Sequence, residues 1–199
     1  MDKELSKVEE GKLEKKRKLL DAGYTLLGKK DIKDTSIQDI VDEAKIAKGT
    51  FYLYFKDKYD LQNHIIINKS HQLFNDAIIH LKKENITDFE KQMNYVINYI
   101  IDELATKPLL LKLIGKNMSL GIYSKNLSNL MESESLGLYN HFIDGLKKSK
   151  IKLKNPEVTF FIIVELVSST CFTSIVKKEP LPINEYKPYL FDAIKSLLK

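Results

Sequence analysis

The chain has 199 residues, of which 43% are hydrophobic and 30% are charged, which is typical of a folded globular protein and excludes a fibrous or disordered one. A single cysteine excludes a disulfide framework and a multi-cysteine metal cluster. The net charge of +5 is only mildly basic and does not by itself identify an anionic partner. No apolar stretch predicts a signal peptide or a membrane span, so we expect a cytoplasmic protein.

Helical periodicity runs through the chain, and no alternating stretch predicts a strand. A first amphipathic helix is predicted over 9–29, where leucines recur at helical spacing. A second, short helix is predicted to begin at Thr35. Thr35 and Gln38 stand three residues apart, which is the spacing of a capping box.

A turn over 45–47 leads to a third short helix, predicted over 48–55. Phe51 and Phe55 lie at i and i+4 of that helix, so they share a face that we expect to be buried. Tyr52 is one residue, or about 100°, further round and must face elsewhere.

The remainder of the chain is also predicted to be helical. Asp57 is the expected N-cap of the next helix, and Asn155 followed by Pro156 is a strong start signal. The segment 156–178 is apolar nearly all round, so we expect it to be buried on two sides. The predicted fold class is all-α with about nine helices, the later ones over 58–83, 88–105, 108–116, 124–150, 156–178 and 184–198.

Two short amphipathic helices joined by a tight turn, after a stabilising helix, form a helix-turn-helix. The third helix must bury one face and leave the other free for DNA. Short polar groups occupy its free sides, and lysines follow where phosphate contacts are expected. These residues are Lys48, Thr50, Tyr52 and Tyr54, followed by Lys56 and Lys58.

The run KGTFYLYFKDKYDL over 48–61 resembles the signature of the TetR family of transcriptional repressors, and the resemblance covers about 13–61. It implies an all-α homodimer with no cofactor. Residues 1–57 would form a three-helix DNA-binding domain. Residues 58–199 would bind a small effector and dimerise through the last two helices.

The resemblance also implies which positions bind double-stranded DNA: Thr35, Gln38, Lys48, Gly49, Thr50, Tyr52, Tyr54, Lys56 and Lys58. Three positions depart from the family pattern, one of them Asp31, which replaces a common glycine before the second helix. Lys45 stands where the family usually has glycine, so it must adopt a left-handed conformation or the turn must change. Ala47 cannot cap the third helix, because its side chain has no acceptor.

An effector pocket is expected among the later helices, largely apolar and with few polar anchors. Its candidate lining is Tyr95, Tyr99, Met118, Tyr123, Phe142 and Glu165. Glu165 lies inside an apolar run, and a buried carboxylate needs a partner. That partner is a Lys or Tyr of the fold, or else a cationic or hydroxylated effector.

The function expected from these features is that of a ligand-responsive repressor, released from a pseudo-palindromic operator by a small molecule. The alternative is a TetR-like coactivator or adaptor that has lost specific DNA binding. An enzyme is the third possibility, and no catalytic or metal-binding motif supports it. The sequence names neither the effector nor the operator.

Overall fold

The computed structural model of the chain describes residues 7–123 and 137–199. Every regular element in these ranges is helical, and a short 3₁₀ turn, Ile32–Asp34, lies between the first two α-helices. The α-helices are α1 Lys7–Lys29, α2 Ile37–Ala44, α3 Lys48–Phe51, α4 Lys58–Leu81, α5 Phe89–Thr106, α6 Pro108–Ile114, α7 Met118–Tyr123, α8 Gly137–Lys148, α9 Pro156–Val176 and α10 Ile183–Leu197.

The predicted all-α class is confirmed, with ten α-helices in the described ranges where about nine were expected. The additional one is α7, a six-residue helix. Of the helix predicted over 124–150, the structure describes α8, and residues 124–136 lie outside the described residues. The third helix is shorter than predicted, because it ends at Phe51. The chain then forms a tight turn up to Phe55, in which the N–H of Tyr54 donates to the carbonyl of Phe51.

The chain divides into two compact units, Met1–Ile65 and Ile66–Lys199, and the division falls within α4. The first unit contains α1, α2, α3 and the start of α4. Its core combines apolar side chains from all four helices, including Leu19, Ile40, Phe51 and Leu61, each of which is fully buried. The predicted boundary between 57 and 58 stays a prediction for the limits of the functional domains.

The start of α2 differs from the predicted capping box. Ser36, not Thr35, is the N-cap: the N–H of Asp39 donates to its hydroxyl oxygen at 3.0 Å, and the N–H of Ser36 donates to the Asp39 carboxylate at 2.9 Å. Thr35 is 1% exposed, and its hydroxyl donates to the carbonyl of Asp31. Thr35 is therefore occupied by the preceding 3₁₀ turn, and the box lies one residue later than predicted.

The second unit contains the rest of α4 and α5 to α10, and α9 packs against α5, α7, α8 and α10. The predicted start of α9 is confirmed, because the N–H of Val158 donates to the Asn155 side chain at 3.1 Å. Gly115, which follows α6, leaves no room for a side chain: a Cβ there would lie 2.8 Å from the ring of Phe172. Its carbonyl accepts a hydrogen bond from the hydroxyl of Ser168 on α9.

The prediction that this apolar helix is buried on two sides is wrong for the single chain, because one side of α9 faces solvent. Val158, Ile162 and Val176 are each between 42% and 54% exposed, whereas Ile163 and Val167 are buried. By length and composition alone α9 could cross a membrane. The mean hydropathy of its most apolar stretch is 1.8, and 39% of that stretch is buried within the chain. Core helices of globular proteins meet the same criteria, and α9 packs against four others.

Lys45 adopts the left-handed conformation that replacement of the usual glycine requires, with φ 55° and ψ 46°. It ends α2, and the N–H of Ile46 then donates to the carbonyl of Val41 at 2.9 Å. A residue with a Cβ is strained in the left-handed region by about 1–2 kcal/mol. Glycine avoids this strain, but its unfolded state has more conformational entropy to lose, which costs about 0.5–1 kcal/mol.

We predict that Lys45→Gly raises the free energy of unfolding by about 0.5–1 kcal/mol, because it relieves this strain while keeping the turn. Urea denaturation followed by circular dichroism measures the change. Lys45→Ala is the matched control, since it removes the same charged side chain but keeps the Cβ. Equal stabilisation by both variants would contradict the prediction.

Candidate nucleic-acid interface

Two buried aromatic side chains fix the orientation of α3. Phe51 and Phe55 are fully buried, as predicted, with ring centroids 5.6 Å apart. Tyr52 packs its ring edge-on against Phe51 at 5.5 Å and is 54% exposed. Burial of two phenylalanines one turn apart leaves α3 a single rotational setting, and Tyr52 faces outward in that setting.

The outward face of α3 carries small and polar groups. Lys48 and Gly49 are exposed, and Thr50 is partly exposed. A Cβ at Gly49 would have no atom within 4 Å, so nothing within the chain requires glycine there. A glycine on an exposed helix face permits the close approach of another molecule.

The segment after α3 places three further candidates beside it. Tyr54 is partly buried against Phe55, and Lys56 is exposed. Asp57 caps α4, as predicted, by accepting hydrogen bonds from the N–H groups of Tyr59 and Asp60. The side chain of Lys56 is therefore free of the capping contacts that organise this turn.

Lys58 has an internal role that the sequence does not indicate. Its ammonium donates hydrogen bonds to the carbonyls of Lys33 and Thr35, at 2.8 and 2.9 Å. These bonds tie the start of α4 to the segment before α2. An ammonium has three donors, so one remains for a phosphate.

On α2, the two sequence candidates are placed differently. Gln38 is exposed, and its amide donates to the Asp42 carboxylate at 2.8 Å, so its orientation is held along the helix surface. The side chain of Thr35 is buried and bonded internally. The structure thus brings Gln38, but not the Thr35 hydroxyl, to the surface.

The sequence interpretation missed a charged pair at the start of α2. The ammonium of Lys30 lies 2.7 Å from the carboxylate of Asp39. Lys30, together with the Ser36 N–H and hydroxyl, lowers the pKa of Asp39 to about 2. The carboxylate therefore stays ionised in the capping box down to acidic pH. The sequence signal for this cap is the tandem Thr-Ser at 35–36, because the hydroxyl of either residue can serve as an N-cap.

A second buried feature of this unit is His64. Its ring lies edge-on to Phe55 at 5.2 Å, and burial, assisted by the charge of Lys16, lowers its pKa. His64 is therefore neutral at physiological pH and behaves as a core residue. The sequence alone does not separate this role from that of a surface histidine.

An apolar cavity lies in the second unit, between α4, α5, α7, α8 and α9. Its volume is about 30 Å³, which is room for about one water molecule. No polar surface lines it. The lining residues are Phe74, Met93, Val96, Ile97, Ile100, Met118, Ile122, Leu138, Phe160, Ile163, Val164 and Val167.

Of the six predicted pocket residues, Met118 lines this cavity. Phe142 is buried behind it, 5.1 Å from Phe160. Tyr95 and Tyr99 lie on another face of α5, where Tyr99 stacks on His80 at 4.8 Å. The remaining two are Glu165, partly exposed and absent from the cavity lining, and Tyr123, whose side chain lies outside the described residues.

A larger cleft of about 460 Å³ opens between the start of α5 and the end of α8, and its lining is half polar. Its acidic groups already have partners. Asp88 caps α5, Glu90 pairs with Lys195, and Asp144 pairs with Lys147. The acidic groups of the cleft are therefore paired, and we consider the apolar cavity the better effector candidate.

Other chemistry has little support in the described ranges. No three His, Cys, Asp or Glu side chains there lie close enough to hold a metal ion. Burial raises the pKa of the Cys171 thiol to about 12. The thiolate, which is the reactive form, is then scarce at neutral pH, so Cys171 acts as a core residue.

Comparisons with known proteins agree with this geometry. The sequence pattern of bacterial regulatory proteins, tetR family, matches residues 19–65. The uncharacterized HTH-type transcriptional regulator YhgD of Bacillus subtilis (strain 168) is 24% identical over 174 residues, covering 85% of this chain and 88% of YhgD.

Two solved structures share the fold. A TetR family transcription regulator from Marinobacter aquaeolei VT8 has a TM-score of 0.62 at 16% identity, covering 93% of this chain and 95% of that one. The transcriptional regulator FadR from Bacillus subtilis, solved in complex with stearoyl-CoA, has a TM-score of 0.59 at 18% identity, covering 92% and 99%. The family pattern thus matches the helix-turn-helix of this chain, and the fold of these regulators matches nearly its whole length.

Proposed function

We propose that the protein is a ligand-responsive transcriptional regulator, a repressor that leaves its operator when a small molecule binds. The observation that carries the proposal is the face of α3 that presents Lys48, Thr50 and Tyr52 while Phe51 and Phe55 are buried behind it. An adaptor without DNA binding would have no use for such a face. The protein would act in the cytoplasm, where the bacterial chromosome is accessible.

The operator would be a pseudo-palindrome. Each subunit of a dimer inserts one α3 into the major groove, and the half-site centres lie about 34–36 Å, one helical turn, or a multiple of it apart. The identity of the basic side chains indicates which bases the protein would prefer. Guanine is most often contacted by arginine, but the only arginine, Arg17, lies on α1, and α3 offers Lys48 alone. Thr50 and Tyr52 suit thymine methyls and phosphates, and Gln38 suits adenine.

We predict that selection from random duplexes recovers an A/T-leaning pseudo-palindrome. Tyr52→Ala should weaken binding to that operator more than binding to random DNA, because Tyr52 contacts bases. Lys56→Ala should weaken both equally and flatten the salt dependence by about 0.9 log units for each phosphate that the variant no longer neutralises. Titration at several salt concentrations measures both effects.

Lys56 is preferred to Lys58 in this test, because removal of Lys58 also breaks two internal hydrogen bonds. A G/C-rich palindrome would contradict the composition argument. Failure to recover any sequence would favour the adaptor over the repressor.

The dimer would form through α9 and α10. The outward side of α9 carries Val158, Ile162 and Val176, and Tyr189 of α10 is 66% exposed. A row of exposed apolar side chains on a long helix is typical of a subunit interface. The side of α9 that is exposed in a single chain would then be buried against the second subunit of a two-fold symmetric dimer.

We predict that Ile162→Lys converts the dimer into a monomer at micromolar concentration, because it would place an unpaired charge in the interface. Sedimentation equilibrium measures the mass. The matched control is Ile79→Lys, which makes the same change at an exposed position of α4. A monomeric unsubstituted protein would contradict the dimer proposal.

The effector would bind in the apolar cavity and present hydrocarbon or aromatic carbon to it. The lining supplies no charged or hydrogen-bonding group, so a polar group of the ligand would have to remain outside. The stearoyl-CoA of the FadR structure is a ligand of this kind, although the support for this chain is its own lining. Met93 and Met118 are adaptable in shape and suit a cavity that must expand.

Expansion would couple the effector to DNA. A cavity of about 30 Å³ is too small for an organic molecule, so the effector must bind a state in which α5, α8 and α9 are further apart. A ligand shifts the population only by binding that state better. A change from 1:99 to 99:1 needs about 5.5 kcal/mol of differential binding.

We predict that the uncharged fluorophore N-phenyl-1-naphthylamine binds saturably in the cavity. Val164→Phe should weaken its binding about tenfold or more, because a ring in the cavity would overpack the core around the bound probe, at a cost of about 1–3 kcal/mol. Fluorescence titration measures the affinity. Val176→Phe, on the exposed side of the same helix, is the control and should leave it unchanged. Equal effects of the two variants would place the probe elsewhere.

A further inference from the structure

The N-terminal part of α1 extends beyond the core of the first unit. Its first buried residue is Leu19, and the family pattern also begins at residue 19. Residues 7–18, here called the N-terminal extension, carry six basic and three acidic side chains, and none of these residues is buried. A helical segment with so little packing is marginally stable by itself, and contact with a binding partner would stabilise it.

The basic residues of the extension are distributed unevenly around the helix. At about 100° per residue, Lys15 and Lys12 lie about 40° and 20° from the direction of Leu19, on the side that is buried further along α1. Arg17 lies about 160° from that direction, on the opposite side. Glu14 is on the far side too, where it pairs with Lys18 at 2.7 Å.

This side of the extension contacts the segment that follows α3. The ammonium of Lys16 lies 5.9 Å from the ring centroid of Phe55, and Lys56 is the next residue after Phe55. Lys12 lies one turn, or about 6 Å, before Lys16 on α1. Lys12 and Lys15 therefore lie within about one turn of a lysine that contacts the residue before Lys56.

Neither lysine has a salt-bridge partner in the described part of the chain. Both are exposed, and among residues 7–123 and 137–199 neither takes part in an ion pair or side-chain hydrogen bond. Exposed lysines on one helix side, next to a phosphate-binding candidate, are suited to the backbone of duplex DNA. They carry no base specificity, because a phosphate contact is independent of sequence.

We propose that Lys12 and Lys15 form a second phosphate-binding surface, which clamps the DNA backbone beside the phosphates bound by Lys56. The inference rests on the proposed DNA-binding function. The extension adds affinity without sequence preference, and DNA binding orders its unsupported turns.

The test measures binding of a fluorescein-labelled random-sequence duplex pool by anisotropy at several salt concentrations. Lys15→Ala should reduce the slope of log affinity against log salt by about 0.9 for each phosphate that a subunit no longer neutralises. The double variant Lys12→Ala/Lys15→Ala should reduce it by up to about 3.6 in a dimer. Lys12→Arg/Lys15→Arg should keep the unsubstituted slope.

Arg17→Ala is the matched control, because it removes one cation from the opposite side of the same segment. It should change the slope less than half as much as Lys15→Ala. Alanine is the better helix former, so circular dichroism should show unchanged helix content in the alanine variants.

Equal slope changes in Lys15→Ala and Arg17→Ala would overturn the proposal, since they would indicate general charge attraction only. A double variant with the unsubstituted slope would also overturn it. If the unsubstituted protein binds no duplex at all, the proposed DNA-binding function fails, and the inference fails with it.

Discussion

The structure of the DNA-contacting unit depends on the burial of Phe51 and Phe55, one helical turn apart and in contact with each other. Two aromatic side chains in one core cannot rotate independently, so they define which side of α3 faces outward. The short length of α3, four residues, makes this constraint necessary, because such a helix has little stability of its own. Tyr52 gains its outward direction from the same contact.

The connections around α3 show how the rest of the unit supports it. A left-handed Lys45 ends α2, and an uncapped Ala47 begins α3, so the turn itself is not optimised for stability. Compensation comes from longer-range bonds. Lys58 reaches back to the carbonyls before α2, and Lys30 reinforces the capping box at Asp39. Lys58, a candidate for DNA contact, therefore also holds the local geometry of this unit.

The second unit combines an apolar helix with a small apolar cavity. One side of α9 contributes four residues to the cavity, whereas the other side is exposed and apolar. A movement that enlarges the cavity must displace α9 or its neighbours, and the outward side of α9 moves with them. Under the proposed function, the same helix would connect an effector in the cavity to the arrangement of two subunits.

The sequence by itself determined the all-α class, most helix positions, and the exposed and buried sides of α3, because these follow from local periodicity and from the spacing of Phe51 and Phe55. It also indicated the caps at Asp57 and Asn155, whose acceptors are local. Only the tertiary structure decided between Thr35 and Ser36 as the cap, because the Thr35 hydroxyl is taken by the carbonyl of Asp31. It alone decided the cavity lining, because residues far apart in the chain converge there by packing. On α9, hydrophobicity is nearly uniform around the helix, so no sequence pattern could show which side enters the core and which side is exposed.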